Sequence, residues 1–208
     1  MMIRSVTILA LLMLALVVSP GARADDQTLL IIGDSLSDAY DMPRESGWAA
    51  LLSERLGDDW QVVNASISGE TTSGAAYRID GLLRDHQPDA LLIILGGNDG
   101  LRALAPSQIK SNLEAVIDKG KRAGTRVALM RIRLPANLGP VYSRRFDAVY
   151  EELASKYELP LLPFFLNDIF DQPGMMMDDG IHPTEQAQPL MLEAIWPELS
   201  QLLGVISQ

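Results

Sequence analysis

Five residues in this chain have the types and spacing that acyl transfer requires. Ser35 stands in Gly33-Asp34-Ser35-Leu36-Ser37, directly after the short apolar run Thr28-Leu29-Leu30-Ile31-Ile32. A hydroxyl there is presented at a sheet edge, and a helix beginning behind it would offer amides that favour an anion. Small polar residues also follow strands simply to turn the chain, so the tripeptide alone does not establish a nucleophile. A serine nucleophile needs a base, and the chain holds two histidines. His86, in Arg84-Asp85-His86-Gln87-Pro88, reads as a solvated helix end. His182 lies in Asp178-Asp179-Gly180-Ile181-His182-Pro183, with Asp179 close enough across one turn to hold the imidazole. A carboxylate on one ring nitrogen orients the other towards a serine proton and stabilises the imidazolium. The same stretch also suits an ordinary turn before a helix.

Acyl transfer further requires donors aimed at the developing oxyanion. Asn98, in Gly96-Gly97-Asn98-Asp99, follows an apolar run and carries an amide that can donate. Gly69 follows another, and without a side chain its backbone N–H can approach a substrate closely. Taken singly, each is equally a turn residue.

These positions need elements that carry them to one place. Apolar runs predict strands at 28–32, 60–65, 90–95, 127–134 and 159–165, the last interrupted by Pro160 and Pro163. Amphipathic runs predict helices at 47–56, 71–86, 107–122 capped by Ser107, 144–156 and 184–203, the last bent by Pro189 and Pro197. Strands alternating with helices imply right-handed crossovers and a parallel sheet covered on both faces. The expected fold is a three-layer α/β/α, flavodoxin-like domain with about five strands, whose ligands bind at the carboxyl ends of the strands. Ser35, Gly69 and Asn98 each follow a different strand.

Composition narrows the class. Met1 to Arg4 is a short positive start, Ser5 to Ser19 is almost wholly apolar, and Ala22-Arg23-Ala24 offers small residues for a signal peptidase. Residues 1–24 therefore read as a cleaved secretory signal, the apolar run of roughly 15 being short for the ~20 that span a bilayer. Residues 25–208 form the single expected domain, placed in the periplasm or outside the cell. No later run is long enough to span. There is no cysteine, which removes disulfides, thiol nucleophiles and cysteine-based metal sites. The net charge of −10 becomes −12 once Arg4 and Arg23 are cleaved away, and argues against nucleic-acid partners.

The blocks Gly33-Asp34-Ser35-Leu36, Gly69, Gly96-Gly97-Asn98-Asp99 and Asp179-Gly180-Ile181-His182 appear in the order of the SGNH hydrolases, or GDSL family, which the sequence resembles. The wider stretches Val63 to Gly69, Leu95 to Arg102, Leu134 to Asn137 and Asp178 to Pro183 resemble its bacterial thioesterase I/protease I/lysophospholipase subfamily. The resemblance implies an acyl-enzyme mechanism with no metal and no organic cofactor. Carried over by position, Ser35 is the nucleophile, His182 the base and then acid, and Asp179 its orienter. The oxyanion donors would be the backbones of Ser35 and Gly69 and the side chain of Asn98. Leu138 stands where relatives often have an aromatic.

Candidate acyl-pocket residues are Leu101, Leu134, Pro135, Leu138, Met177 and Ile181, with Met175 and Met176 beside them, methionine being suited to flexible apolar chains. Such a cleft favours fatty acyl groups over sugars. The expected partner is a small acyl ester or thioester acted on by a monomer, with thioesterase, arylesterase and lysophospholipase activities from one site. A carbohydrate O-deacetylase using the same triad and a non-catalytic lipid-binding protein are the alternatives.

Overall fold

A computed structural model of the chain describes residues 27–205. The segment read as a signal, residues 1–24, lies outside the described residues. Five strands form one parallel sheet: β1 (Gln27–Gly33), β2 (Trp60–Asn64), β3 (Ala90–Ile94), β4 (Arg126–Met130) and β5 (Leu161–Leu162), in the order β2-β1-β3-β4-β5. The helices are α1 (Trp48–Leu56), α2 (Thr72–His86), α3 (Gly97–Leu101), α4 (Pro106–Arg122), α5 (Pro140–Tyr157) and α6 (Gln188–Leu203).

That strand order sorts the helices into layers. The chain leaves β1 in one direction to form β2, then reverses and adds β3, β4 and β5 on the other side. Right-handed crossovers running in opposite directions put their helices on opposite faces. Accordingly α1 packs with α6, whereas α2 packs with α4 and α4 with α5. The direction reverses between β1 and β3, where the carboxyl ends of the strands leave a crevice.

The central strands are apolar along their whole length because both faces are covered. Leu29 to Ile32 and all of β3 are fully buried. Each such leucine or isoleucine contributes ~1.5–3 kcal/mol relative to an exposed one. With no cysteine in the chain, this core carries the fold.

Several element limits differ from the sequence reading, each for a local reason. Helix α4 is not capped by Ser107; it begins at Pro106, whose missing N–H costs nothing at a first helical position. The fifth strand shrinks to two residues, since Pro160 and Pro163 on either side have no N–H for a ladder. The last helix is preceded by a 3₁₀ turn, Glu185–Ala187, so Pro189 falls in its first turn and only Pro197 is internal. Helix α3 occupies residues whose sequence suits a strand-closing turn. Its glycines disfavour helix, but it is held from outside. The fully buried Asp99 carboxylate accepts the backbone N–H of Thr72 at 3.0 Å and its hydroxyl at 2.6 Å.

Candidate active site

Ser35 follows β1 directly and is half-buried. Behind it the chain forms a turn and not the anticipated helix: Ser37 and Asp38 both donate their N–H groups to the Asp34 carbonyl at 3.0 Å. This turn is fastened from behind, where the Trp48 indole donates to the Leu36 carbonyl at 3.1 Å and the Asn64 amide to that of Ser37 at 2.6 Å.

His182 comes from the far end of the chain. Helix α6 packing on α1 delivers it, with Gln188 Oε1 accepting the Trp48 N–H at 3.0 Å and Ser46 donating to Glu185 at 2.7 Å. The loop before α6 is closed on itself. Met176 and Pro183 form an antiparallel bridge, and the Met177 N–H donates to the His182 carbonyl at 2.8 Å. Inside that loop Asp179 Oδ1 accepts the N–H groups of Ile181 and His182 at 2.9 and 3.0 Å. Its Oδ2 lies 2.6 Å from His182 Nδ1, and His182 Nε2 lies 2.9 Å from Ser35 Oγ. The bonds from the His182 side chain and from the two backbone N–H groups hold the Asp179 carboxyl down at about 2. An anionic carboxylate on Nδ1 fixes the tautomer in which Nε2 accepts the serine proton.

Asn98, in the first turn of α3, donates from Nδ2 to Asp34 Oδ2 at 3.2 Å. An amide carries two N–H groups, so one remains for a substrate oxygen. The backbone N–H groups of Ser35 and Gly69 are without a protein partner among the described residues. Gly69 has φ +79°, a conformation L residues avoid, and it is exposed beside the nucleophile turn, where Ile67 donates to the Gly33 carbonyl at 3.1 Å.

Asp34 is a participant that the sequence did not reveal. It is buried, which pushes its carboxyl up to about 6 against the lowering effect of the Leu36 N–H and the Asn98 amide. Above that pH it is the anion that holds Asn98. Because the folded value exceeds the unfolded one, ionisation costs stability, and the cost grows as pH rises from about 4 to 6. Against Asp34→Asn, which cannot ionise, wild type should therefore lose up to about 3 kcal/mol across that window. Urea unfolding of both proteins at pH 4 and pH 7 measures it; an unchanged difference would mean that Asp34 is not strained by its charge.

Beside the triad lies a cavity of about 270 Å³, near the lower end of the ~300–1,000 Å³ typical of small-molecule sites. Ser35, Asn98 and His182 reach it, and Leu101, Leu134, Pro135 and Ile181 form part of its wall. Leu138 and Met177 do not line it. Leu138 ends the 3₁₀ turn Ala136–Leu138 that leads into α5, and Met177 is engaged in the backbone pairing of the His182 loop. Met175 and Met176 pack against the core instead. The wall also includes Ile132, Arg133, Phe164, Leu166 and Phe170. The prolines that cut β5 short were the available signal for the last three, since they carry the apolar residues beyond the sheet's end. Leu101, Phe170 and Ile181 are about two-fifths exposed (43, 41 and 39%), so the rim is apolar and open.

The GDSL-like Lipase/Acylhydrolase family matches residues 31–189. Esterase TesA of Pseudomonas aeruginosa is 46% identical over 184 residues, which cover 87% of this chain and 92% of that one. Thioesterase 1/protease 1/lysophospholipase L1 of Escherichia coli K12 is 44% identical over 196 residues, covering 94% and 93% respectively. The crystal structure of a psychrotrophic esterase, EstA from Pseudoalteromonas sp., inhibited by monoethylphosphonate, matches with a TM-score of 0.83 at 38% identity. That match covers 86% of this chain and 100% of the esterase. Matched through most of its length by that family and by relatives this similar, the chain is a hydrolase that belongs to the GDSL-like lipase/acylhydrolase family.

Proposed function

We propose that the protein is a serine esterase and thioesterase acting on apolar acyl groups, with Ser35 as nucleophile, His182 as base and acid, and Asp179 as orienter. The observation that carries this reading is the unbroken chain from Ser35 Oγ through His182 Nε2 and Nδ1 to Asp179 Oδ2, at 2.9 and 2.6 Å. Ser35 Oγ attacks the acyl carbon while its proton passes to His182 Nε2. The carbonyl oxygen becomes an oxyanion that the N–H groups of Ser35, Gly69 and the Asn98 amide receive. Collapse expels the alcohol or thiol, protonated by His182, and leaves an acyl-serine. Water, deprotonated by the same imidazole, then attacks and releases the acid.

The apolar wall favours fatty acyl chains, and the names of the Pseudomonas and Escherichia relatives point to esters, thioesters and lysophospholipids. The inhibition of the Pseudoalteromonas esterase by a phosphonate, a tetrahedral mimic of the attacked ester, supports the same chemistry. The charged start and short apolar run of residues 1–24 support export to the periplasm or beyond. No helix among the described residues is long and apolar enough to cross a membrane. An exported enzyme meets lysophospholipids and other acyl esters more readily than cytosolic acyl-coenzyme A.

The mature protein should hydrolyse aryl esters and thioesters of medium and long acyl chains, and lysophospholipids, with kcat/KM highest on apolar acyl groups. Initial rates across a panel that includes acetylated sugars decide the matter. A kcat/KM that peaks on acetylated sugars would make it an O-deacetylase.

A further inference from the structure

The turn behind Ser35 is strained at two places that the triad does not account for. Ala39 and Asp41 have φ of +55° and +53°, and neither is a glycine. Left-handed backbone is costly for L residues and persists only where the surroundings enforce it. Here they do. Asp38 accepts the N–H and hydroxyl of Ser68 at 3.0 and 2.9 Å and pairs with Arg44 at 3.1 Å. The bare Gly47 lets the Ala39 methyl come close: a Cβ at position 47 would stand 3.0 Å from it.

Between the two strained residues is Tyr40. Its ring lies over the His182 imidazole, with centroids 4.1 Å apart and planes 22° from parallel. The residue is 43% exposed, and its hydroxyl has no hydrogen-bond partner among the described residues. Nor does it line the cavity. An exposed aromatic is thus stacked on His182, with left-handed backbone on both sides of it.

We propose that Tyr40 is a positioning residue for the hydrolysis, acting through His182. This rests on the reading of His182 as the base. The bond to Asp179 fixes one atom of the imidazole but leaves the ring free to tilt about it. A second ring on its face removes that freedom and keeps Nε2 directed at Ser35 Oγ. Once the serine proton has moved, the imidazole is a cation against the negative face of an aromatic ring, an attraction that neutral imidazole lacks. Both effects are greatest in the transition state and small in substrate binding, so they enter kcat and not KM.

The test compares Tyr40→Phe and Tyr40→Leu with wild type, with Ser35→Ala run alongside. Tyr40→Phe keeps the aromatic face and should retain kcat within about threefold, whereas Tyr40→Leu should lose about tenfold or more with KM within about twofold. The His182 ring-proton resonances should leave their ring-current-shifted position in Tyr40→Leu and keep it in Tyr40→Phe, whatever the melting temperature does. Tyr40→Leu at wild-type kcat, a KM effect alone, or a Phe variant as poor as Leu would overturn the proposal. Full activity in Ser35→Ala would instead overturn the triad on which it rests.

Discussion

Ser35→Ala should lower turnover by roughly a millionfold while the protein stays folded, the scale seen when a triad serine is removed. Among the described residues no other hydroxyl hydrogen-bonds His182 Nε2, which lies 2.9 Å from Ser35 Oγ. The residual rate, roughly 10³–10⁴ over water, would come from the oxyanion donors and binding alone. The fold should hardly notice, since Ser35 is only half-buried and its backbone is kept in place by Asp34, Trp48 and Asn64. Labelling by a fluorophosphonate reads the nucleophile directly, with circular dichroism as the folding control. Labelling of the variant at the wild-type rate would end the assignment.

His182→Ala should be comparably severe, roughly 10⁶-fold in kcat, and His86→Ala close to neutral. These are the chain's two histidines, so the pair forms its own control. His86 is the exposed last residue of α2 and leads to the amino end of β3, whereas the site lies at the carboxyl ends of the strands. Asp179→Ala should cost less, on the order of 10⁴-fold, because it removes the orienter and leaves the base. The neighbouring Asp178 is exposed and makes no bond to His182, so Asp178→Ala should be mild. Steady-state kinetics on one aryl ester compare all four. Equal losses in the His86 and His182 variants would point to damaged folding and not to lost catalysis.

Strand position was legible because buried parallel strands write themselves as unbroken apolar runs, as Leu29 to Ile32 and Ala90 to Ile94 do. Where local preference and tertiary contact disagreed, the sequence misled. Helix α3 is glycine-rich and looks like a turn, and only the buried carboxylate of Asp99 reaching Thr72 explains it. The cavity wall was harder to read than the polar residues around it. Asp179 and His182 announce themselves by chemistry and spacing, whereas apolar side chains serve core and pocket alike. Met175 and Met176 went to the core, Leu138 and Met177 fell outside the wall, and Phe164, Leu166 and Phe170 entered it from beyond a broken strand. Asp34 passed for part of a motif; its burial and its hold on Asn98 need the fold. Tyr40 gave no sign, since a left-handed alanine and aspartate on either side of it are invisible to pattern.

The bridged loop that carries Asp179 and His182 bears on how such a site can change over time. Its fastenings run from Gly174, whose carbonyl accepts the Thr184 hydroxyl at 2.7 Å, to Thr184 itself, and the acid and the base both lie inside that ring of bonds. The pair therefore travels as a cassette. Insertions or deletions upstream of Gly174 can shift, tilt or re-seat the whole loop and leave the carboxylate-to-imidazole bond intact. The contacts across to Ser35 and Tyr40 then have to be re-established. A residue gained or lost between Asp179 and His182 breaks the pair outright. Inherited length variation should accordingly gather before the loop and spare its three-residue spacing, so that pocket shape can drift while the proton-transfer unit is transmitted whole.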